Sequence, residues 1–352
     1  IYPTASNMDQ NFFTILPNLR WMKKIGTYGN MRIFYRTSTD FPTIDQLQDV
    51  VDSSSQTNIS YGNPSLKQSY SHLGVLRYTW ANTHNNNSFS ANVSYKTSSN
   101  YITSDVVNSD GITSTTYINL DGYQNFNGLL VYAFPVKAIK SNFNITTNYT
   151  YSKTPSKYND EVGFVSRNTL GGGIVLSSNV SEYVDFTVRY DANYTKTTST
   201  LNNASSGQNY FQQTPSFILN LLSKNGWLFN TTVDYTDYNL KGSAGVQYTL
   251  WNASIGKKFL PKKAGELKLS VFDILKQNNS FSQTVNSYNL IQTTTTKVLQ
   301  QYFMLTFTYS LKNFGKGKAS SSNEDDRRRD GPPMGGPPPG GGFPGGGPGG
   351  GF

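Results

Sequence analysis

Hydrophobic and polar residues alternate along several segments of the chain. Residues 89–96 read FSANVSYK and residues 142–151 read NFNITTNYTY, so that nearly every second position is apolar or aromatic. The same period recurs in residues 184–191, 227–235 and 303–311. A period of two predicts β-strands with one apolar and one polar face.

Clusters of Gly, Pro and Asn mark the ends of these segments and divide the chain into thirteen predicted strands. Most of them exceed ten residues, close to the ~9–11 that a tilted strand needs to cross a bilayer, whereas strands of soluble sandwiches average about 5–6. Their length favours a membrane β-barrel. The predicted strands are residues 10–22, 29–38, 69–83, 88–104, 113–134, 141–153, 164–178, 183–198, 210–223, 227–238, 244–259, 266–277 and 298–312.

The connections between these strands alternate between short and long, with the sole exception of residues 239–243. Outer-membrane barrels have short periplasmic turns and longer outer loops, so the long connections are expected to face outward and the last strand to end in the periplasm. Bacterial barrels have an even number of strands, and thirteen therefore indicates a fragment whose earlier strands are missing. The long connections are residues 39–68, 105–112, 154–163, 199–209 and 278–297.

The composition supports this class and defines a tail. Of 352 residues, 36% are hydrophobic and 14% are charged, while 24 Tyr and 21 Phe make the chain rich in aromatics. A disordered chain or a soluble helical enzyme would have a different composition, and no run approaches the ~18 apolar residues of a membrane helix. Residues 331–352 contain 12 Gly and 7 Pro. We therefore expect a barrel portion over residues 1–314 and a disordered tail over residues 315–352.

Three segments resemble a known family. Residues 40–72 read DFPTIDQLQDVVDSSSQTNISYGNPSLKQSYSH and resemble the C-terminal barrel of TonB-dependent receptors. Residues 265–279, GELKLSVFDILKQNN, and residues 301–315, QYFMLTFTYSLKNFG, are similar to the end of Bacteroidetes outer-membrane β-barrel proteins of that superfamily. The resemblance extends from about residue 10 to residue 315, and the Gly/Pro-rich tail is similar to tails in the same group.

The resemblance implies a transmembrane, antiparallel up-and-down β-barrel in a Gram-negative outer membrane, with 22 strands in the whole protein. The thirteen strands would be its tenth to last, and the tenth strand would run downward, as the loop lengths also indicate. It further implies an upstream plug that contacts TonB and, in some members, a surface lipoprotein. Members usually finish at the last aromatic residue of the final strand, whereas here 38 residues follow Phe314.

The sequence offers little catalytic chemistry, so we expect no enzyme activity, no cofactor and no metal site. Cysteine is absent, and the only histidines, His72 and His84, belong to no catalytic motif. An active site at the barrel rim that uses His72 is the weaker alternative. The glycine run 171–173 lacks the Lys-Ser/Thr of a phosphate loop and lies inside a predicted strand, where glycine marks a bend or a close approach.

The two longest loops are the candidate ligand-contact regions, because loops above ~12 residues are usually functional or disordered. Within them Tyr61, Asn63 and Tyr288 are the candidate contact residues, since the tyrosines could stack on a sugar or siderophore. A simple solvated loop is the alternative interpretation.

The net charge is +9, and many of the lysines fall in predicted periplasmic turns. Their lysines are placed to meet phosphates of outer-membrane lipid. No basic stripe with interleaved aromatics forms a compact module, so nucleic acid is not an expected partner. The lysines in question are Lys23, Lys24, Lys137, Lys140, Lys224, Lys262 and Lys263.

The sequence thus predicts the C-terminal part of an outer-membrane β-barrel that forms the wall of a substrate-uptake channel. The alternative is a non-transporting barrel with a structural or adhesion role. Strand alternation carries the fold prediction, whereas the transport function is implied by the resemblance.

Overall fold

The computed structural model describes residues 12–51, 55–178, 181, 183–201, 209–240, 245–278, 280–285, 291–296 and 298–310. Tyr288 and the predicted tail lie outside the described residues. Within these described residues, helix is limited to one turn, α1 at Ile44–Leu47, and two 3-10 turns at Lys137–Ile139 and Pro261–Lys263. No helix among the described residues is long and apolar enough to cross a membrane.

Strands make up nearly all of the remaining structure. In chain order they are β1 Asn18–Ile25, β2 Gly29–Asp40, β3 Asn58–Ser60, β4 Ser69–Asn82, β5 Asn87–Ser99, β6 Tyr101–Ser109, β7 Ile112–Leu120, β8 Tyr123–Val136, β9 Ser141–Tyr158, β10 Glu161–Ser178, β11 Val184–Ser199, β12 Asn209–Leu222, β13 Trp227–Leu240, β14 Val246–Phe259, β15 Gly265–Phe272, β16 Ser280–Val285, β17 Ile291–Thr296 and β18 Tyr302–Tyr309.

Thirteen of these strands form the main sheet, and each pairs antiparallel with the next along the chain. The order is β1-β2-β4-β5-β8-β9-β10-β11-β12-β13-β14-β15-β18. The predicted all-β, up-and-down antiparallel order is therefore confirmed, with one strand for each of the thirteen predicted segments. In the described chain β1 and β18 occupy the two ends of this order.

The register places apolar residues opposite one another on a single face. Tyr132 of β8, Ile145 of β9, Ile174 of β10 and Tyr190 of β11 form one such row across four strands. Ile174 is 47% exposed although it lies in the middle of the sheet. We call this surface the apolar face and the opposite one, rich in Asn, Ser and Thr, the polar face. A barrel in a bilayer turns the apolar face to lipid and the polar face to its lumen.

Aromatic residues collect at both ends of the apolar face. On β4, Tyr70 lies near the long-loop end and Trp80 near the short-turn end, with Leu76 between them. Ten residues span about 33 Å along a strand, or about 25 Å along the membrane normal at a tilt of about 40°. This spacing matches the apolar band between the two aromatic girdles of outer-membrane barrels.

Buried side chains are concentrated toward the long loops rather than in the sheet. Each of the buried apolar residues lies in a loop or at the loop end of a strand, because both faces of a membrane sheet are solvated by lipid or water. These residues are Leu66, Val106, Val165, Leu201 and Tyr238.

Three loop predictions were wrong, and one of them is residues 278–297, where β16 and β17 pair antiparallel. Residues 105–112 are not a loop, because β6 and β7 form a hairpin there that turns at Asp110 and Gly111. Residues 154–163 are not a loop either, because β9 and β10 pair along the whole segment and turn only at Asn159 and Asp160. Both turn residues have positive φ, 46° and 63°, as a two-residue type I′ hairpin requires.

The β6–β7 hairpin is turned over relative to the strands that carry it. In the main sheet β8 lies between β5 and β9. Above the main sheet, β6 continues β5 along the chain but pairs in parallel with β9. β7 pairs in parallel with β3. The predicted strands 88–104 and 113–134 therefore each break, at Asn100 and at Asp121–Gly122. Asn100 and Gly122 have positive φ, and the Asn100 N–H donates to the Asp121 carboxylate at 2.8 Å.

Candidate functional site

The polar face of β9, β10 and β11 contains a glycine cradle, which we define as Gly171 and Gly173 with Asn148, Asp191 and Asn193. Gly171 pairs with Asn148 on one side and Asn193 on the other, and Gly173 pairs with Asp191. The predicted position of the glycine run inside a strand is confirmed. Because these glycines carry no side chain, the longer polar side chains of the neighbouring strands lean over them.

The close approach is measured by the space that a Cβ atom would need. A Cβ on Gly171 would meet Asn148 Oδ1 at 2.5 Å and would also collide with Asn193 Oδ1. A Cβ on Gly173 would collide with the carboxylate of Asp191. The cradle thus brings two amides and a carboxylate together where a β-branched or aromatic residue would separate them.

Further polar groups extend this surface. Arg189 Nε lies 2.9 Å from Asp191 Oδ2, and both side chains are partly exposed. Asn230 donates to Asn220 at 2.6 Å, and the hydroxyls of Thr169 and Thr195 lie 2.9 Å apart. The polar face therefore offers donors, acceptors and both charges, which can exchange hydrogen bonds with a hydrated polar solute.

At the long-loop end, a loop layer packs against the sheet; we define it as residues 55–67, 101–120 and 154–160. Backbone hydrogen bonds join its segments: Tyr61 N–H donates to Thr115 C=O at 3.1 Å, and Asn159 N–H donates to Val106 C=O at 2.8 Å. Val106 is 0% exposed. The layer is a packed structure with its own small core.

Lys157 links two acidic residues within the loop layer. Its Nζ lies 2.9 Å from Asp105 Oδ2 and 2.9 Å from Asp160 Oδ1. The Asp105 side chain is 13% exposed and that of Asp160 is 85% exposed, so the two ion pairs differ in solvation. Hydrogen bonds to Asp160 and Asp105 raise the pKa of Lys157.

Two tyrosines stack where the hairpin leaves the main sheet. The rings of Tyr101 and Tyr123 are 4.4 Å apart and nearly parallel, at 10°. Burial, with smaller contributions from Tyr123 and Asp40, raises the pKa of Tyr101 to about 12. The Cβ of any residue replacing Gly122 would meet the Phe164 ring at 2.8 Å, so the hairpin can turn over only with glycine beside this stack.

Tyr61 and Asn63, the described residues among the predicted ligand contacts, lie within the loop layer. Tyr61 is half-buried and follows β3. The Asn63 side chain donates to Tyr117 C=O at 2.8 Å and accepts from Ser65 N–H at 2.9 Å. Both bonds hold the loop, so Asn63 has a structural function there. Ligand contact by either residue remains a prediction, and Tyr288 lies outside the described residues.

The two histidines lie at opposite ends of β4 and cannot share one site. His72 is near the long-loop end of the apolar face, where its Nδ1 lies 2.8 Å from the Tyr35 hydroxyl and its ring meets Tyr70 edge-on at 5.0 Å. His84 lies in the short turn after β4, as the sequence predicts. Among the described residues, no group of three or more His, Asp or Glu side chains could hold a metal ion.

The sequence analysis missed the side chains of the cradle and the links of the loop layer. Asn148, Asp191 and Asn193 belong to the alternation that identified their strands, but their convergence depends on register across three strands. Their pairing with the glycine run could have been predicted only by counting residues outward from each short turn to obtain the register of neighbouring strands. No local sequence feature predicts the parallel pairing of β3 with β7.

Comparison with known proteins gives two results. The model of the outer membrane protein β-barrel family matches residues 2–212. Among solved structures, the FrpB iron transporter from Neisseria meningitidis (F3-3 variant) is similar, with a TM-score of 0.48 and 9% sequence identity over 73% of this chain and 43% of the transporter. The chain thus spans less than half the length of that transporter. No curated protein matches the sequence.

The family match covers most of β1 to β12, including the glycine cradle and the loop layer. It agrees with the two aromatic girdles and with the exposed apolar face of the sheet. Since the match extends over more than half of the chain, the protein belongs to the outer membrane protein β-barrel family, and its place is the outer membrane.

Proposed function

We propose that this chain forms part of the wall of a substrate-uptake channel in an outer-membrane protein of the TonB-dependent receptor superfamily. One observation carries the proposal: the polar face continues across thirteen strands and presents the grouped amides and charges of the glycine cradle. In this class of barrel the polar face lines the lumen. The donors and acceptors along a pore determine which solutes pass.

The orientation follows from the connections. Short turns face the periplasm in these barrels and long loops face outward, so the loop layer lies outside and the C-terminal tail is periplasmic. The resemblance of residues 40–72 to the C-terminal barrel of TonB-dependent receptors supports an upstream plug that TonB contacts. Energy coupling would belong to that plug, and a surface lipoprotein could assist capture. The proposed function involves no bond-making.

A second function is favoured by the loop layer. Its segments are fixed to one another by backbone hydrogen bonds and by the Lys157 ion pairs, so it presents a constant outer surface. A fixed surface suits adhesion or assembly with a partner protein. In that case the polar face would be a water-filled interior without a transport role.

The test uses the full-length protein in its native cells and exploits the absence of cysteine from the chain. Cells with and without the gene are grown in defined medium, and the polar solutes that each strain removes are measured. Single-cysteine variants Asn148→Cys on the polar face and Ile145→Cys on the apolar face are then treated with a bulky, water-soluble maleimide.

Transport predicts that the wild type removes at least one solute that the deletion strain leaves in the medium. It also predicts that maleimide blocks this uptake in Asn148→Cys but not in Ile145→Cys. Identical removal of all solutes by both strains would refute transport and favour the adhesion function. Uptake that continues after complete labelling of Asn148→Cys would place the solute path elsewhere.

A further inference from the structure

Two adjacent short turns carry a group of lysines beside an exposed tryptophan. Lys224 lies in the turn between β12 and β13, Lys257 lies on β14, and Lys263 ends the 3-10 turn before β15. Lys257 Nζ is 4.8 Å from the centre of the Trp227 ring, which is 52% exposed on the apolar face. A cation and an aromatic ring therefore share one position at the membrane boundary.

The lysines are held together by the turns themselves. Lys257 Nζ donates to Asn225 C=O at 2.8 Å, and Lys263 Nζ donates to Lys224 C=O at 3.3 Å. Each ammonium group has three N–H donors, so both keep donors for another acceptor. Lys224 Nζ lies 5.8 Å from the Tyr183 ring.

Among the described residues of these turns, no acidic side chain neutralises the charge on the apolar face. At the short-turn ends of β11 to β15, the described residues of the apolar face include no acidic side chain. Asp185 and Glu266 lie on the polar face, where Glu266 approaches Lys258 at 3.9 Å. The excess positive charge therefore faces the lipid side of the sheet.

An apolar groove of about 190 Å³ adjoins this charge. It is lined by Leu221, Ser223, Trp227, Leu228, Phe229 and Ile255. Leu221, Phe229 and Ile255 are direct partners in the register of β12, β13 and β14, so they form a continuous apolar floor. The groove lies on the lipid face of the sheet, where an acyl chain can contact its floor.

We infer that the lysines and the groove form a binding site for one anionic glycerophospholipid. The phosphate would accept hydrogen bonds from Lys257 and Lys263 with Lys224 nearby, and one acyl chain would lie in the groove against Trp227. Positive charge beneath an apolar groove matches this chemistry, because basic pockets at membrane surfaces bind anionic head groups. The site shares with the proposed function only the orientation of the short turns toward the periplasm, where the leaflet contains phospholipid.

The test measures quenching of Trp227 by brominated lipids. The full-length protein is reconstituted in phosphatidylcholine, and phosphatidylglycerol or phosphatidylcholine with brominated acyl chains is added in increasing fractions. Trp227 is one of four tryptophans, so its contribution is the difference between wild type and Trp227→Phe. We expect half-quenching at about a tenfold lower fraction of the anionic lipid, since each nearby lysine strengthens its binding several-fold.

The triple variant Lys224→Gln, Lys257→Gln, Lys263→Gln should lose this tenfold preference. The matched control, Lys137→Gln with Lys140→Gln, removes charge from another short turn and should keep it. Equal quenching by the two lipids in the wild type would overturn the inference without any variant. Relief of quenching by unlabelled lipid A at lower fractions than by unlabelled phosphatidylglycerol would overturn it in favour of lipopolysaccharide. Neither result would bear on solute uptake.

Discussion

Asn119 binds both backbone groups of Lys67. Its Oδ1 accepts from the Lys67 N–H at 2.7 Å, and its Nδ2 donates to the Lys67 C=O at 2.9 Å and to the Asn100 C=O at 2.8 Å. One side chain thereby links the loop before β4 to the hairpin between β5 and β8. This side chain takes the place of a backbone hydrogen-bonded pair between two segments that do not form a strand ladder there.

Asn119→Ala is expected to loosen the loop before β4 without unfolding the main sheet. The variant loses three exposed hydrogen bonds, and each of them contributes about 0.5–1.5 kcal/mol of local stability. Hydrogen exchange should accelerate at residues 62–67 and remain unchanged in β9 and β10. Asn58→Ala is the control, because the Asn58 side chain donates to its sequence neighbours Ser55 and Thr57, at 3.4 Å. Equal exchange in wild type and Asn119→Ala would contradict the assigned link.

Gly171→Ala is expected to destabilise the sheet more than Gly172→Ala. At position 171 the new methyl group collides with Asn148 and Asn193, whereas at position 172 the nearest atom is the Thr146 carbonyl oxygen at 3.5 Å. Overpacking of this kind costs about 1–3 kcal/mol. Urea unfolding of both variants in vesicles should give a lower midpoint for Gly171→Ala, and equal midpoints would show that the cradle residues move aside freely.

Lysine should be tolerated at position 175 and rejected at position 174. Ile174 lies on the apolar face, where a charge near the bilayer centre costs about 2–4 kcal/mol, while Val175 lies on the polar face. The folded fraction after insertion into vesicles, read from the electrophoretic shift between unheated and heated samples, should fall for Ile174→Lys only. A loss of folding by Val175→Lys alone would reverse the assignment of the two faces.

The loop layer should weaken at high pH. Tyr101 in the folded layer keeps its proton to a pKa of about 12, whereas an unfolded tyrosine ionises near 10. A raised pKa favours the folded state below pH 10, and this contribution is lost as the pH rises through 12. The raised pKa of Lys157 acts with the same sign, because its two ion pairs disappear when the ammonium group loses its proton.

The titration of Tyr101 is measurable as the tyrosinate absorbance of wild type minus that of Tyr101→Phe. We expect a midpoint near 12, and a midpoint near 10 would mean that the ring is solvated. Tyr117→Phe is the control, because it removes another tyrosine of the same hairpin. The absorbance of wild type minus that of Tyr117→Phe shows whether removing any one tyrosine alters the titration of the others.

Asp105→Asn should disturb the loop layer more than Asp160→Asn. Both carboxylates lie 2.9 Å from Lys157, but Asp105 is largely buried and Asp160 is exposed. Exposed ion pairs contribute about 0–1 kcal/mol, while breaking a more buried pair costs more. Limited proteolysis at residues 105–112 reports the difference, and equal sensitivity of the two variants would contradict it.

The sequence predicts the sheet well because each strand shows its apolar and polar faces in its own residues. Alternation along β9 or β13 identifies both faces from one strand alone, and Lys137–Lys140 or Ser223–Gly226 mark short turns by composition. The same reasoning does not predict the structure of the loop layer. The segment that contains Pro155 was predicted to be a loop, yet it continues β9, and the Pro155 carbonyl accepts from the Thr103 hydroxyl at 2.9 Å, a partner 52 residues away.

The breaks at Asn100 and Gly122 were missed for a related reason. Alternation continues on both sides of each break, so the hydrophobic pattern does not reveal where the hairpin leaves the main sheet. The glycine cradle required knowledge of register across three strands. Local pattern therefore predicts which residues face lipid, whereas the polar contacts that carry the proposed function depend on pairings that the pattern does not specify.

The turned-over hairpin also has a consequence for the order of assembly. β6 reaches past β8 to pair with β9, and the loop before β4 docks on β7 of the turned-over hairpin. The layer's contacts join positions about 50 residues apart, and such distant contacts form slowly. We therefore expect the outer layer to be completed after the strands beneath it have paired.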